Sequence, residues 1–216
     1  DTVELVRACT RAGGAEVLKD GDLEVDPFKE WNRISVAEAC REYAGFDLEA
    51  TLPDEPTLEP DPKPLAKVAE NMGIRVSSDD RWDDIYFRIA FEKIEPNLGR
   101  GVPTILYDYP VCMAALSRKK PTDPRFAERF EVYVGDTELG NAFSELTDAA
   151  EQRRRFEYDM DLKEKLYGER YPIDDDFINA VAAMPEAAGI AIGVDRLVML
   201  VAGVTRIEDA MWAPVA

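Results

Sequence analysis

The sequence predicts an α+β fold, an antiparallel sheet flanked by helices. Two runs with strand alternation, 126–134 and 138–146, are separated by Gly135-Asp136-Thr137 and read as an antiparallel hairpin. Helical periods lie on either side of that hairpin. Near the end a small-residue strand, Ala188-Gly189-Ile190-Ala191-Ile192-Gly193, feeds one more helix. Antiparallel strands with helices interposed describe an α+β sheet rather than a doubly wound parallel one.

Taken in order, Val3, Leu5, Val6 and Cys9 mark a first helix that stops at Gly13-Gly14, where a left-handed cap carries little strain. A turn or short hairpin follows around Asp20-Gly21. Ser35-Val36-Ala37-Glu38 reads as a capping box opening a helix that ends near Gly45. Between 49 and 64, prolines at 53, 56, 60, 62 and 64 are mixed with acids, which denies the segment both helix and central strand. It reads as an exposed connector or insertion. Residues 65–71 form a short helix and 79–94 a longer one, with Trp82, Ile85, Ile89 and Phe91 apolar, broken by Glu95-Pro96-Asn97-Leu98-Gly99. Strand character appears at 104–109. A polar helix over 149–167 starts at Asp148, with Glu151 completing a capping box, and stops at Gly168. Another begins near Asp174, and the last runs over 194–202 to Gly203.

The 216 residues are 46% hydrophobic, enough for a core in one or two domains. The longest apolar stretch, 197–204, is too short to span a bilayer, and the start lacks the order of a signal peptide, so a cytoplasmic protein is expected. Because the chain opens at Asp1, directly in a helical pattern, it reads as a fragment. Cys9, Cys40 and Cys112 have neither disulfide nor zinc spacing. No histidine is present, which removes the commonest general base and transition-metal ligand. Twenty-six basic against 44 acidic residues give a net charge of −18, which disfavours extensive binding to tRNA, although such a surface also serves solubility alone.

Four places carry candidate chemistry. Glu131 and Glu138 flank the hairpin turn, so their carboxylates face each other across neighbouring strands; either Mg²⁺ on a nucleotide resolves that repulsion or the face is simply solvated. Glu145, in the apolar run after Asn141 and Phe143, needs a cation: a bound lysine ammonium or an internal arginine. Asn141 and Phe143 share its face and either hold a ligand or pack. Arg196 follows Gly193 at a strand-to-helix junction that suits phosphate, with pairing to Asp195 as the alternative.

Together these segments resemble the C-terminal portion of a class II aminoacyl-tRNA synthetase catalytic domain of the lysyl type. The likeness runs from Glu95-Pro96-Asn97-Leu98-Gly99 and Pro103-Thr104-Ile105-Leu106-Tyr107-Asp108-Tyr109-Pro110 through Glu128-Arg129-Phe130-Glu131 and Glu138-Leu139-Gly140-Asn141-Ala142-Phe143-Ser144-Glu145-Leu146-Thr147-Asp148. It ends on 189–200, which resembles the family's motif 3. The resemblance implies that Glu131 and Glu138 hold Mg²⁺ on ATP and that Gly193 flanks the nucleotide pocket. It makes Arg196 the phosphate-contacting catalytic arginine. Glu138, Asn141, Phe143, Glu145 and Ala191 would line the amino-acid site. The implied reaction is ATP-dependent formation of a lysyl-type adenylate from lysine or β-lysine.

Two branches of the family differ in acceptor: synthetases that charge tRNA, and ligases that join β-lysine to a lysine of elongation factor P. Ala191, where the synthetases usually carry glycine, the run 152–157 and the run 167–174 resemble the second branch more closely. Motif 1, which builds the family's homodimer, and motif 2 are not recognisable, so a third expectation is a non-catalytic module with the same fold.

Overall fold

The computed structural model describes residues 1–213. At its centre is a five-stranded sheet in the order β3-β4-β5-β6-β7: Asn32–Ser35, Thr104–Pro110, Phe126–Val134, Thr137–Ser144 and Ala188–Ile192. Strands β4 to β7 pair antiparallel, whereas β3 lies parallel to β4. The sheet is therefore mixed at one edge, and β3 is a strand that alternation does not reveal. It has four residues, of which Ile34 alone is buried, too few to show a period of two. A separate hairpin, β1 (Leu18–Asp20) and β2 (Leu23–Val25), turns at Gly21 as predicted.

Helices cover both faces. On one, α1 (Thr2–Ala12) and α7 (Val194–Ala202) close a core of Val6, Leu18, Ile105, Val132, Leu139 and Leu200. On the other lie α2 (Val36–Ala39), α3 (Lys63–Asn71) and α4 (Trp82–Ile89), packed against Leu106, Tyr109, Phe126 and Tyr133. Trp82 is 1% exposed and stacks on Tyr86 with ring centroids 5.6 Å apart. Truncating so buried an aromatic to alanine costs about 3–5 kcal/mol.

Both α2 and α4 continue into single π-helical turns, Cys40–Ala44 and Ala90–Ile94. The buried stripe of the second runs through residues 82, 85, 86, 89, 90 and 94, so Phe91 falls between its rows and is exposed rather than part of the core.

Local chemistry sets most boundaries. Ser35 and Glu38 form the reciprocal capping box. Asp148 caps α5 (Ala149–Tyr167) by accepting from the N–H groups of Ala150 and Glu151, but Glu151 does not return the bond. Its carboxylate is taken instead by Lys119, Arg154 and Arg155, at 2.9, 2.9 and 3.0 Å. The proline-rich segment contains one short helical turn, Glu49–Thr51, and its last two residues, Lys63 and Pro64, already open α3, where a proline in the first turn is tolerated. It is not a free connector, however, because Leu58 is buried and the Trp82 indole N–H donates to the Thr51 carbonyl at 3.3 Å. Helices α5 and α6 (Asp175–Ala183) pack together through Phe156 and Phe177, centroids 5.7 Å apart.

Candidate active site

Cross-strand partners and alternate residues of a strand point to the same side of a sheet. Arg129 pairs with Phe143, Glu131 with Asn141, and Asn141 in turn with Ala191. One face of β5-β6-β7 therefore gathers Arg129, Glu131, Tyr133, Glu138, Asn141, Phe143 and Ala191.

Glu131 and Glu138 share this face but are not opposite each other. The register shifts after Val132, so that Tyr133 pairs with Glu138 and Leu139 becomes the extra residue of a β-bulge. The reason is packing: Leu139 is 1% exposed, in the core of the opposite face with Val132 and Leu200. The two carboxylates are thus diagonal neighbours, and burial followed by the charge of Glu131 pushes the Glu138 carboxyl above its ordinary range. Glu95 is raised by the same two causes.

Glu131 is 8% exposed and already has four donors. Tyr109 Oη reaches it at 2.5 Å, Arg129 Nη2 at 2.6 Å, Tyr133 Oη at 2.7 Å and Asn141 Nδ2 at 3.2 Å. Arg129 also donates through Nε to Asn141 Oδ1 at 3.2 Å and through Nη1 to the Met113 carbonyl, with its guanidinium 4.4 Å from the Tyr109 ring centre. Arg129, Tyr109 and Tyr133 are site residues that the sequence reading left without a role. Arg129 and Tyr133 flank Glu131 at two-residue spacing, a signal that strand alternation alone supplies.

Glu138 is different. Among the described residues its side chain has no hydrogen bond or ion pair. Its backbone carbonyl accepts from Arg196 Nη1 at 2.6 Å. Arg196 is therefore not paired with Asp195. Its stem folds back over Gly193, where a Cβ would lie 3.1–3.3 Å from three of its carbons.

Glu145 lies just past β6, bridged to Ser117, and continues the face of Asn141 and Phe143 by alternation. Its carboxylate makes no ion pair among the described residues, so the internal arginine partner is not realised. Among the described residues no group of three or more metal-ligating side chains occurs. A donor set of two acids suits Mg²⁺ shared with phosphates; here Glu138 is the carboxylate without a partner, and Glu131 is engaged by Arg129. Of two larger concavities, one of about 420 Å³ adjoins this face, with Arg129, Phe143 and Gly189 among its lining residues beside Tyr107 and Phe130, and one of about 480 Å³ lies between α5 and α6. Around Glu131, Tyr109 and Tyr133 the carboxylate face is closed over by Tyr86, Ala90 and Ile94, leaving a space of only about 20 Å³.

Residues 2–215 match the family described as tRNA synthetases class II (D, K and N). The chain belongs to this family. It is similar to a lysine–tRNA ligase of Dehalococcoides mccartyi (strain ATCC BAA-2100), 36% identical over 203 residues, covering 93% of this chain and 39% of the relative. Lysine–tRNA ligases of Staphylococcus saprophyticus (36% over 202 residues; 93% and 39%) and Pelotomaculum thermopropionicum (33% over 215 residues; 99% and 41%) are similar too. The chain spans about two fifths of the length of these class II relatives. The α+β fold of this chain and the printed names of these relatives agree with the resemblance drawn from residues 95–200. No helix is long and apolar enough to cross a membrane among the described residues.

Proposed function

We propose that this chain supplies the lysine and nucleotide face of an ATP-dependent ligase that makes a lysyl-type adenylate. The observation that carries the reading is Glu145, a carboxylate in an apolar run with no cation of its own, beside Asn141 and Phe143. A half-buried carboxylate without an ion pair is free to receive an ammonium. Bound lysine would place its side-chain ammonium against Glu145 and its own carboxylate towards Arg196.

In the reaction the lysine carboxylate oxygen attacks the α-phosphorus of ATP. The bond to the bridging oxygen breaks, and pyrophosphate leaves with the electron pair. No proton is removed from the nucleophile, which suits a chain without histidine. What the protein supplies is position and charge neutralisation. Arg196 faces the phosphates, and Glu138, supported by Glu131, would hold Mg²⁺ against them.

For the acceptor we favour a lysine side chain of elongation factor P, with β-lysine as the activated amino acid. The net charge of −18 repels a polyanion, and the Ala191 methyl stands opposite Asn141, where it would narrow the proposed amino-acid site. A tRNA acceptor is the second reading, supported by the printed names of the relatives. Pyrophosphate exchange with (R)-β-lysine and with L-lysine, followed by transfer to elongation factor P or to tRNA, separates them. Exchange with L-lysine alone and charged tRNA would favour the second. Absence of both exchange and Mg-ATP binding would leave a non-catalytic module.

A further inference from the structure

Arg155, on the second turn of α5, is 1% exposed, a burial unusual for a guanidinium. Its Nη1 donates to three carbonyls of one short segment: Ala114 at 2.7 Å, Ser117 at 2.9 Å and Ala115 at 3.3 Å. Nε goes to Glu151 at 3.0 Å, and Nη2 has no partner among the described residues. A buried ion pair is often replaceable by apolar groups without loss of stability, and an unmatched buried donor is a further penalty. Packing alone therefore does not account for an arginine here.

The geometry of its acceptors does. The carbonyls of residues 114, 115 and 117 belong to the segment that begins at Met113, and the Met113 carbonyl accepts from Arg129 Nη1. Arg129 then bonds both Glu131 and Asn141. The same segment returns to the site through Ser117, which bridges Glu145. One buried guanidinium thus fixes the backbone that touches both ends of the carboxylate face.

We propose that Arg155 is a positioning residue: it holds the 113–117 backbone so that Arg129 orients Glu131 and Asn141. Only the consequence for lysine binding rests on the ligase reading. The arrangement of Arg129 stands without a ligand.

The test uses the whole chain with ¹⁵N-arginine, reading the Arg129 Nε–H signal, assigned through its loss in Arg129→Lys. In Arg155→Ala that signal should shift or broaden while the distant Arg7 Nε–H, bonded to the Pro27 carbonyl, stays in place. Millimolar guanidinium should return it by occupying the vacated space. Arg155→Lys, which keeps the charge but not the fork, should shift it less. L-lysine affinity measured by calorimetry should fall about tenfold or more in Arg155→Ala, as expected for misplaced binding groups. An Arg129 signal unchanged in folded variants would overturn the proposal. So would loss of the Arg7 and Arg129 signals together in both variants, which marks a purely structural role. If the parent chain binds no lysine, the ligase reading fails while the Arg129 signal still decides the role of Arg155.

Discussion

Glu145 and Gly189 meet at the edge of the sheet: a Cβ on residue 189 would lie 3.0 Å from Glu145 Oε1, so the carboxylate would have to give by a few tenths of an ångström. Gly193 has the same relation to Arg196, at 3.1 Å from its Cδ. The two glycines therefore shape the two ends of the proposed site separately. Gly189→Ala should displace the carboxylate and weaken L-lysine binding while leaving Mg-ATP binding nearly unchanged. Gly193→Ala should do the reverse. Neither glycine has a positive φ, so both variants should fold. Calorimetry with each ligand checks the pair, and equal losses for both ligands in both variants would contradict it.

Glu138 combines a raised carboxyl with the absence of a partner among the described residues, which makes its charge a burden on the unliganded fold. A folded-state value above the ordinary 4.5 contributes stability below that pH and loses it as pH rises through the raised value. At pH 7 the contribution is gone, so Glu138→Gln should raise the melting temperature by about 1–3 °C without ligand. The advantage should disappear below pH 4.5, while Mg-ATP affinity falls at neutral pH. A variant that melts lower at pH 7 would show that Glu138 already has a counter-charge.

Glu131 behaves oppositely because four donors depend on it. Glu131→Gln leaves Arg129 facing an amide and the Tyr109 and Tyr133 hydroxyls short of a charged acceptor. Urea unfolding should show a loss of about 2–4 kcal/mol, within the range for breaking a buried hydrogen-bonded ion pair. A loss below ~0.5 kcal/mol, the level of a surface substitution, would place Glu131 on a solvated face instead.

Glu151 predicts a pH dependence. Burial raises its carboxyl, but hydrogen bonds from Arg154, Lys119 and Arg155 outweigh that and hold it at about 2. A value depressed below the ordinary 4.5 contributes stability present above 4.5 and lost as pH falls towards 2. Wild type should therefore lose urea resistance across that interval faster than Glu151→Gln. Parallel pH profiles would mean that the three cations do not stabilise the ionised form.

The hairpin, the helix stops at Gly14, Gly168 and Gly203, and the strand-to-helix unit at 188–202 are all legible in the sequence, because turn glycines and small-residue runs leave local signals. The face shared by Asn141 and Phe143 is legible too, since alternation needs only parity. What local pattern does not contain is the choice between competing partners. Leu139 enters the core and shifts Glu138 by one position. Glu151 abandons its helix cap for three cations. The carboxylate of Glu131 is consumed by tyrosines from β4 and β5. These outcomes turn at least in part on groups remote in the chain, as when Tyr109 reaches across to Glu131 and Lys119 joins the helix neighbours Arg154 and Arg155 on Glu151.

Titration of L-lysine into wild type and Glu145→Gln tests most directly whether Glu145 receives the lysine ammonium. Loss of a charge-assisted bond worth roughly 1.5–3 kcal/mol should weaken lysine binding by about 10–100-fold, with Mg-ATP binding changed far less. Equal lysine affinity in the two proteins would contradict the assignment of Glu145 and, with it, the placement of the amino-acid site on this face.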